Sequence, residues 1–440
     1  MADHAVSSSP GVQAQLDRLW ALSPGDDVLG LDRITALLAR LGDPHFRLPP
    51  VLHVAGTNGK GSTCAFLRAA IEASGLTCHV YTSPHLVRFN ERIRIAGSLI
   101  SDDQLEALLR EVLDIAGDIG ASFFEVTTAA MFLAFSRSPA DACVIEVGLG
   151  GRLDATNVIA NPIITGIAQL GIDHQSFLGD TMEAISGEKA GIAKSGVPLV
   201  TMRYPASVTA VINRAANVAG AKVSALGTDW TVSSGDGVRY EDRGGIVETG
   251  LPRLIGSHQS ENLGLAIAML RHQSTLTIPV AAYRAAAEWA EWPARMQRLA
   301  PGPMTALLPK GSELWLDGGH NPAAAGSVSA ALMLRAAGRP VHLIVGMLAN
   351  KDPRGLIFPF ASFTSSLLAV PVPGHAHHAP KTLAEIAENF GVTGAIATDV
   401  PAALRAIASR ADPANPPAVL IVGTLYLAGV VLDANGQRPV

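Results

Sequence analysis

The chain has 440 residues, more than one typical hydrophobic core serves, so two domains are expected. Its 48% hydrophobic and 16% charged residues describe a well-packed globular protein, and a net charge of -5 excludes a basic footprint for nucleic acid. Three cysteines, Cys64, Cys78 and Cys143, are odd in number and lack metal-ligand spacing, which argues against a disulfide framework and for free thiols in a reducing cytoplasm. In chain order, residues 1–10 hold Asp3 and three serines but no apolar core, so no secretory leader is expected there. From residue 51 apolar strands alternate with helices, the pattern of a parallel α/β sheet. Strands are expected at 51–54, 78–81, 142–146, 163–167 and 198–202. Helices are expected at 64–71, 101–115, 126–135, 181–194 and 259–271, the fourth of these capped by Asp180 or Thr181 and stopped by Gly196. Residues 226–250 are rich in Gly, Asp and Thr with short alternating runs and read as a small β excursion. Proline and glycine cluster at 300–303, where a boundary is expected between a first domain, 1–299, and a second, smaller α/β domain, 304–440. The second domain should hold strands at 313–317, 342–345, 367–370, 395–398 and 419–422. The longest apolar run, 418–432, is broken by Gly423 and Thr424 and falls short of the roughly 20 residues of a membrane span, so it reads as a buried strand entering a helix.

The most informative stretch lies between the first strand and the first helix. Gly56, Thr57, Asn58, Gly59, Lys60, Gly61 and Ser62 form a glycine loop whose backbone can approach an anion, with the helix start presenting N–H groups to it and Lys60 able to reach terminal phosphates. The match to the usual phosphate loop is imperfect, because Val54 stands where its first glycine belongs and Gly61 follows the lysine. An ordinary tight turn rarely sets a lysine between two glycines, so a nucleotide is the expected ligand.

Ligands of open α/β sheets bind at the carboxyl ends of strands. Ser83, Glu146 and His174 each follow a strand that can neighbour the phosphate loop. Ser83-Pro84 taken alone is a simple turn, and His174 alone a packed or capping histidine. Glu146 ends an apolar strand, where a carboxylate is costly unless paired or on metal. Together the three indicate a hard cation such as Mg²⁺, which His174 suits less well than the two oxygen donors. Lys189 sits in a mostly apolar helix. It is either a snorkelling surface lysine or a partly buried amine with a lowered pKa.

These segments together resemble the folylpolyglutamate synthase/dihydrofolate synthase family of the Mur ligase superfamily. The resemblance rests on 56–62, Thr82-Ser-Pro-His85 with Phe89-Asn-Glu-Arg-Ile93, Phe124-Glu-Val-Thr-Thr128, and Glu146 through Asn157. It continues with Asp173-His174, Gly187-Glu-Lys-Ala-Gly191, His258-Gln-x-x-Asn262, Trp292-Pro-Ala-Arg-Met-Gln297, Leu316 through Pro322, Gly346 through Asp352, and Gly423-Thr-Leu-Tyr426. The pieces run in family order from about residue 27 to 430. Gly-Lys-Gly-Ser resembles the folate branch, whereas cell-wall ligases tend to Gly-Lys-Thr-Thr or Gly-Lys-Thr-Ser. Gly319 and Met296 depart from the alanine and phenylalanine frequent in the family.

The resemblance implies a P-loop ATPase domain of Mur central type followed by a Rossmann-like domain. It implies an ATP-dependent ligase that adds L-glutamate to dihydropteroate, to tetrahydrofolate, or to both, through an acyl phosphate. Catalytic roles would fall to Lys60, Lys189, Asp317 and His320. ATP would meet residues 56–62, Asn262, Arg295 and Asp317. Ser83 and Glu146 would hold one Mg²⁺, and Glu146 with His174 a second. Lys189 would be carbamylated, and Phe124, Leu153, Asp154 and Ala155 would line a pterin pocket. A monomer without membrane or nucleic-acid partners is implied. Two alternatives stay open: a Mur-type ligase acting on another carboxylate, disfavoured because only some fifty residues precede the phosphate loop, and a glutamate-independent NTPase. A binding module without activity fits poorly with Lys60, Glu146, His174 and Lys189 in one chain.

Overall fold

Continuous apolar runs such as 51–55 and 142–146 bury every residue, because helices cover both faces of a parallel sheet. The computed structural model describes residues 6–22 and 29–440. Residues 1–5 and 23–28 lie outside it, and with them half of the stretch read as lacking a leader and the start of the segment that carries the resemblance. The chain divides into two units, the first comprising 1–253, 259–291 and residue 440, the second 254–258 and 292–439.

The strands of the first unit are β1 (Val51–Ala55), β2 (Cys78–Tyr81), β3 (Ile93–Ile95), β4 (Ser98–Leu99), β5 (Ala142–Glu146), β6 (Ile164–Ile167), β7 (Leu199–Thr201), β8 (Val223–Ala225), β9 (Trp230–Ser234), β10 (Val238–Asp242) and β11 (Gly245–Thr249). The main sheet runs β4-β3-β2-β5-β1-β6-β7-β8. It is parallel from β2 to β8, with β3 and β4 an antiparallel ribbon on one edge. One face packs on a core that includes Leu16, Leu37, Leu109, Val126 and Phe132, the other on Ile192, Val208 and Ile212. Residues 226–250 carry β9, β10 and β11, a separate antiparallel meander. The meander is clipped to helix Ser257–His272 by Arg271, which donates to both oxygens of Asp242 at 2.8 and 2.7 Å, while the Tyr240 hydroxyl donates to the same carboxylate at 2.9 Å.

The second unit adds β12 (Gln297–Arg298), β13 (Glu313–Leu316), β14 (Val341–Val345), β15 (Thr364–Ala369), β16 (Thr393–Ile396) and β17 (Ala418–Val422), in the order β12-β13-β17-β14-β15-β16. All but β12 are parallel. The proline–glycine cluster at 300–303 lies inside this unit, between β12 and β13. The run 418–432 is β17 entering helix Leu425–Ala434, and no helix among the described residues is long and apolar enough to cross a membrane.

Two expectations need correction. The helix expected over 181–194 is Met182–Ala190, capped by Thr181, whose hydroxyl accepts the Ala184 amide at 3.2 Å. It ends at Gly191, a position that admits no side chain, since a Cβ there would lie 2.3 Å from that of Arg152. The last edge strand is Thr393–Ile396, two residues ahead of the expected 395–398.

Candidate active site

Four adjacent strands, β2-β5-β1-β6, deliver the candidate residues. At the end of β1, Gly59 has φ 81° and caps helix Lys60–Ala73. A Cβ there would lie 2.5 Å from Asn262 Oδ1, so only glycine lets the loop and helix Ser257–His272 meet this closely. Asn262 is itself oriented by Gln259, whose Oε1 accepts its side-chain amide at 3.0 Å. Lys60, Gly61 and Ser62 occupy the first helical turn, where backbone N–H groups have no intrahelical acceptor and together favour an anion by about 0.3–1 kcal/mol. The Thr57 and Asn58 amides are used differently: both donate to the Gln169 carbonyl, at 2.9 and 3.0 Å.

Lys60 folds back over its own loop, Nζ donating to the carbonyls of Gly56 at 2.9 Å and Thr57 at 3.3 Å. Glu146 Oε1, at the end of β5, lies 4.0 Å from that ammonium. The Glu146 carboxylate is buried, and its Oε2 accepts the Ser83 amide at 3.4 Å. Ser83 and Glu146 are therefore neighbours across β2 and β5. His174 follows β6 with a left-handed backbone, φ 52°, uncommon for a residue with a side chain, and its amide donates to Asp173 Oδ1 at 2.8 Å. Among the described residues no three His, Cys, Asp or Glu side chains are gathered closely enough to hold a metal by themselves.

Lys189 is buried, and its Nζ donates at 3.0 Å to the same Gly56 carbonyl that Lys60 engages. Burial, and after it the nearby Lys60 charge, lower its pKa to about 7, against the pull of Asp173 and Asp154. Gly151 brings Lys189 into position: the Arg152 amide donates to the Glu188 carbonyl at 2.8 Å, and a Cβ on Gly151 would lie 2.8–3.0 Å from backbone atoms of Glu188 and Lys189. Gly151→Ala is expected to destabilise by about 1–3 kcal/mol through this overpacking. Gly187→Ala, where the added methyl meets only a Val211 methyl at 3.5 Å, should stabilise by up to about 1 kcal/mol through helix propensity. Urea denaturation of the two variants checks the contrast.

Phe124, half-buried near the start of helix Phe123–Arg137, lays its ring on Gly148, whose added Cβ would be 2.3 Å from it. Leu153 and Ala155 follow in the same loop. Asp154 is buried with both oxygens engaged by the chain: Oδ1 accepts the Thr156 amide at 3.0 Å and the Thr156 hydroxyl at 2.5 Å, and Oδ2 accepts the Leu149 amide at 2.8 Å.

In the second unit, Asp317 directly follows β13. Its Oδ2 accepts the Met296 amide and its Oδ1 the Gly319 amide, both at 2.7 Å. Arg295 precedes Met296 and lies against Gly318. His320 Nδ1 is 3.0 Å from the Gly318 carbonyl, and Asn321 and Pro322 open helix Pro322–Ala336 with a side-chain cap on Ala324. Asp317, Arg295 and His320 thus share one loop cluster.

Sequence reasoning gave no role to Gln169 or Glu91. Glu91 accepts the amides of Leu86, Val87 and Arg88 at 2.7–3.0 Å and holds the Ser83 loop closed. A glutamate three residues after Arg88 is the signal that could have found it, since a short turn leaves amides for such a carboxylate.

No protein-family model matches the chain. The folylpolyglutamate synthase of Lacticaseibacillus casei is 32% identical over 91% of this chain and 92% of that protein. This chain belongs to the folylpolyglutamate synthase/dihydrofolate synthase family. The dihydrofolate synthase/folylpolyglutamate synthase of Escherichia coli is 31% identical over 93% of this chain and 92% of its own. Among solved structures, Escherichia coli FolC in complex with DHPP and ADP superposes with a TM-score of 0.87 at 30% identity, covering 98% and 99% of the two chains. A Mycobacterium tuberculosis folylpolyglutamate synthase complexed with ADP and AMPPCP gives a TM-score of 0.85 at 30% identity over 98% and 99%. The family's two-domain Mur ligase architecture is that of this chain.

Proposed function

We propose that this chain joins L-glutamate to dihydropteroate, to a reduced folate, or to both, through an acyl phosphate. As a member of the family it is an ATP-dependent acid–amino-acid ligase. The observation that carries the reading is the meeting of Lys60, Glu146 and Lys189 around the Gly56 turn, next to helix-start amides suited to phosphate. The substrate carboxylate oxygen attacks the γ-phosphorus of ATP and ADP leaves. The glutamate amine then attacks the acyl carbon, and inorganic phosphate leaves.

Lys60 and the amides of 59–62 hold the phosphates and offset charge as it develops. Ser83 and Glu146 fit a magnesium ion, and Glu146 with His174 is the candidate for a second; when bound, magnesium neutralises phosphate charge. Phe124, Leu153 and Ala155 offer a flat apolar surface for a pterin ring, beside Asp154. Asn262 touches the loop that would hold ATP. Arg295 and His320 are the second unit's candidates for phosphate or the glutamate carboxylate, His320 beside a positive helix start, and Asp317 is its candidate for a further ATP contact. A cytoplasmic monomer acting on small molecules completes the reading, in keeping with three buried free thiols. Phosphate release with ATP, L-glutamate and, separately, dihydropteroate and tetrahydrofolate tests it. Glutamate-dependent release with either carboxylate supports it; release that ignores glutamate refutes it.

Lys189 is the proposed site of a carbamate. Its neutral amine adds to carbon dioxide and loses one proton, turning a cation into an anion beside the phosphate loop. With a pKa of about 7 the neutral amine is plentiful above neutrality and falls away below it, so the bicarbonate requirement for full activity should rise as pH drops from 8 to 6. Lys189→Ala should lose activity and regain part of it with a short added carboxylic acid. Full activity in that variant without additive refutes the carbamate.

A further inference from the structure

His53 lies in the middle of β1, three residues before Gly56, and is fully buried. Nothing in the reaction above uses it. Its Nε2 is 2.8 Å from the Thr156 hydroxyl, and its Nδ1 is buried without a hydrogen-bond partner among the described residues. The proton positions follow. The Asp154 carboxylate can only accept, so the Thr156 hydroxyl donates to it and keeps a lone pair for His53. His53 must then carry its proton on Nε2 and donate. Burial pushes its pKa down to about 3, which keeps the ring neutral. Asp154 in turn fixes the amides of Thr156 and Leu149.

The chain of bonds therefore runs from the strand that delivers the phosphate loop to both ends of the 149–156 segment. Phe124 rests on Gly148, next to one end, and Leu153 and Ala155 lie between the two.

Resting on the pterin reading given above, we infer that His53 and Thr156 are positioning residues for the pterin pocket, acting through Asp154 on the spacing between Phe124 and the Leu153–Ala155 wall. Neither touches a reacting atom. Their loss should loosen recognition of the flat ring while leaving nucleotide affinity alone.

The test is steady-state kinetics with whichever of dihydropteroate or tetrahydrofolate the wild type turns over faster. Thr156→Val keeps the shape and removes the hydroxyl. It should raise KM for the pterin substrate about tenfold, the scale of one lost buried hydrogen bond with its partners unpaired. KM for ATP should stay within about twofold on the same scale. Thr156→Ser restores the hydroxyl and should restore the pterin KM. If Thr156→Val does not fold, His53→Leu against His53→Gln carries the comparison, since glutamine retains a donor. An unchanged pterin KM, or equal rises in both KM values, overturns the inference while leaving the ligase reading intact. A wild type that turns over neither pterin substrate overturns both.

Discussion

Lys60→Ala should lower the rate of glutamate ligation by about two to three orders of magnitude and leave the thermal unfolding transition nearly in place. Removing one well-aimed donor from a charge-developing site costs on that order. Nothing else in the first turn replaces it: the helix-start amides are fixed partial charges, whereas Lys60 is a full charge on a stem able to swing from the Gly56 and Thr57 carbonyls to a phosphate. The fold depends on it little, because its contacts are two loop carbonyls and a carboxylate 4.0 Å away. Lys60→Arg should rescue poorly, since a planar fork does not substitute for a compact ammonium between two glycines. Single-turnover transfer of labelled γ-phosphate isolates the affected step. A near wild-type rate in the alanine variant would remove the phosphate-loop assignment.

Glu146→Gln comes second. It preserves shape and removes one charge from a buried position that faces both Lys60 and the Ser83 amide. A hard divalent cation binds a carboxylate far better than an amide, so magnesium-dependent activity should fall at least about a hundredfold, with little recovery at high magnesium. Stability should fall, because the substitution removes one partner of a largely buried pair and leaves the Lys60 ammonium beside Lys189 with less compensating negative charge. Activity titrated against magnesium, alongside calorimetric melting, separates the two effects. If the magnesium dependence is unchanged and only the melting temperature moves, Glu146 serves the fold alone.

The sheet was legible because parallel strands buried on both faces write themselves as unbroken apolar runs. Val51 to Ala55 and Ala142 to Glu146 are the clear cases, each with its functional residue just past or at the end. Helix Pro10–Leu22 was not anticipated, although Val12, Leu16 and Leu19 mark its buried face at helical spacing. Helix Ala206–Ala219 likewise carries Val208, Ile212 and Ala216. In both, alanines and polar residues dilute the stripe, and tertiary packing decides what periodicity alone leaves weak.

Within the site, residue types that chemistry demands were legible and partners that only folding supplies were not. A lysine between glycines and a glutamate closing an apolar strand advertise themselves. That the Gln169 carbonyl takes the Thr57 and Asn58 amides depends on β6 lying beside β1, a neighbourhood more than a hundred residues apart in sequence. The burial of Lys189 depends in the same way on Gly151.

The strand order has a kinetic consequence. Between β1, which carries the phosphate loop, and β2, which carries Ser83, lies β5, a strand that arrives more than sixty residues after β2 in sequence. The two loops cannot face each other until that late segment has inserted between strands already made. Loop closure over such separations is slow, and long-range parallel pairing comes after local helix formation. During refolding, helical signal should therefore recover well before the capacity to bind a fluorescent nucleotide, and truncation anywhere before residue 147 should abolish that capacity rather than weaken it. Nucleotide binding is thus a reporter of finished sheet assembly, and the sites on β1 and β2 are made together or not at all.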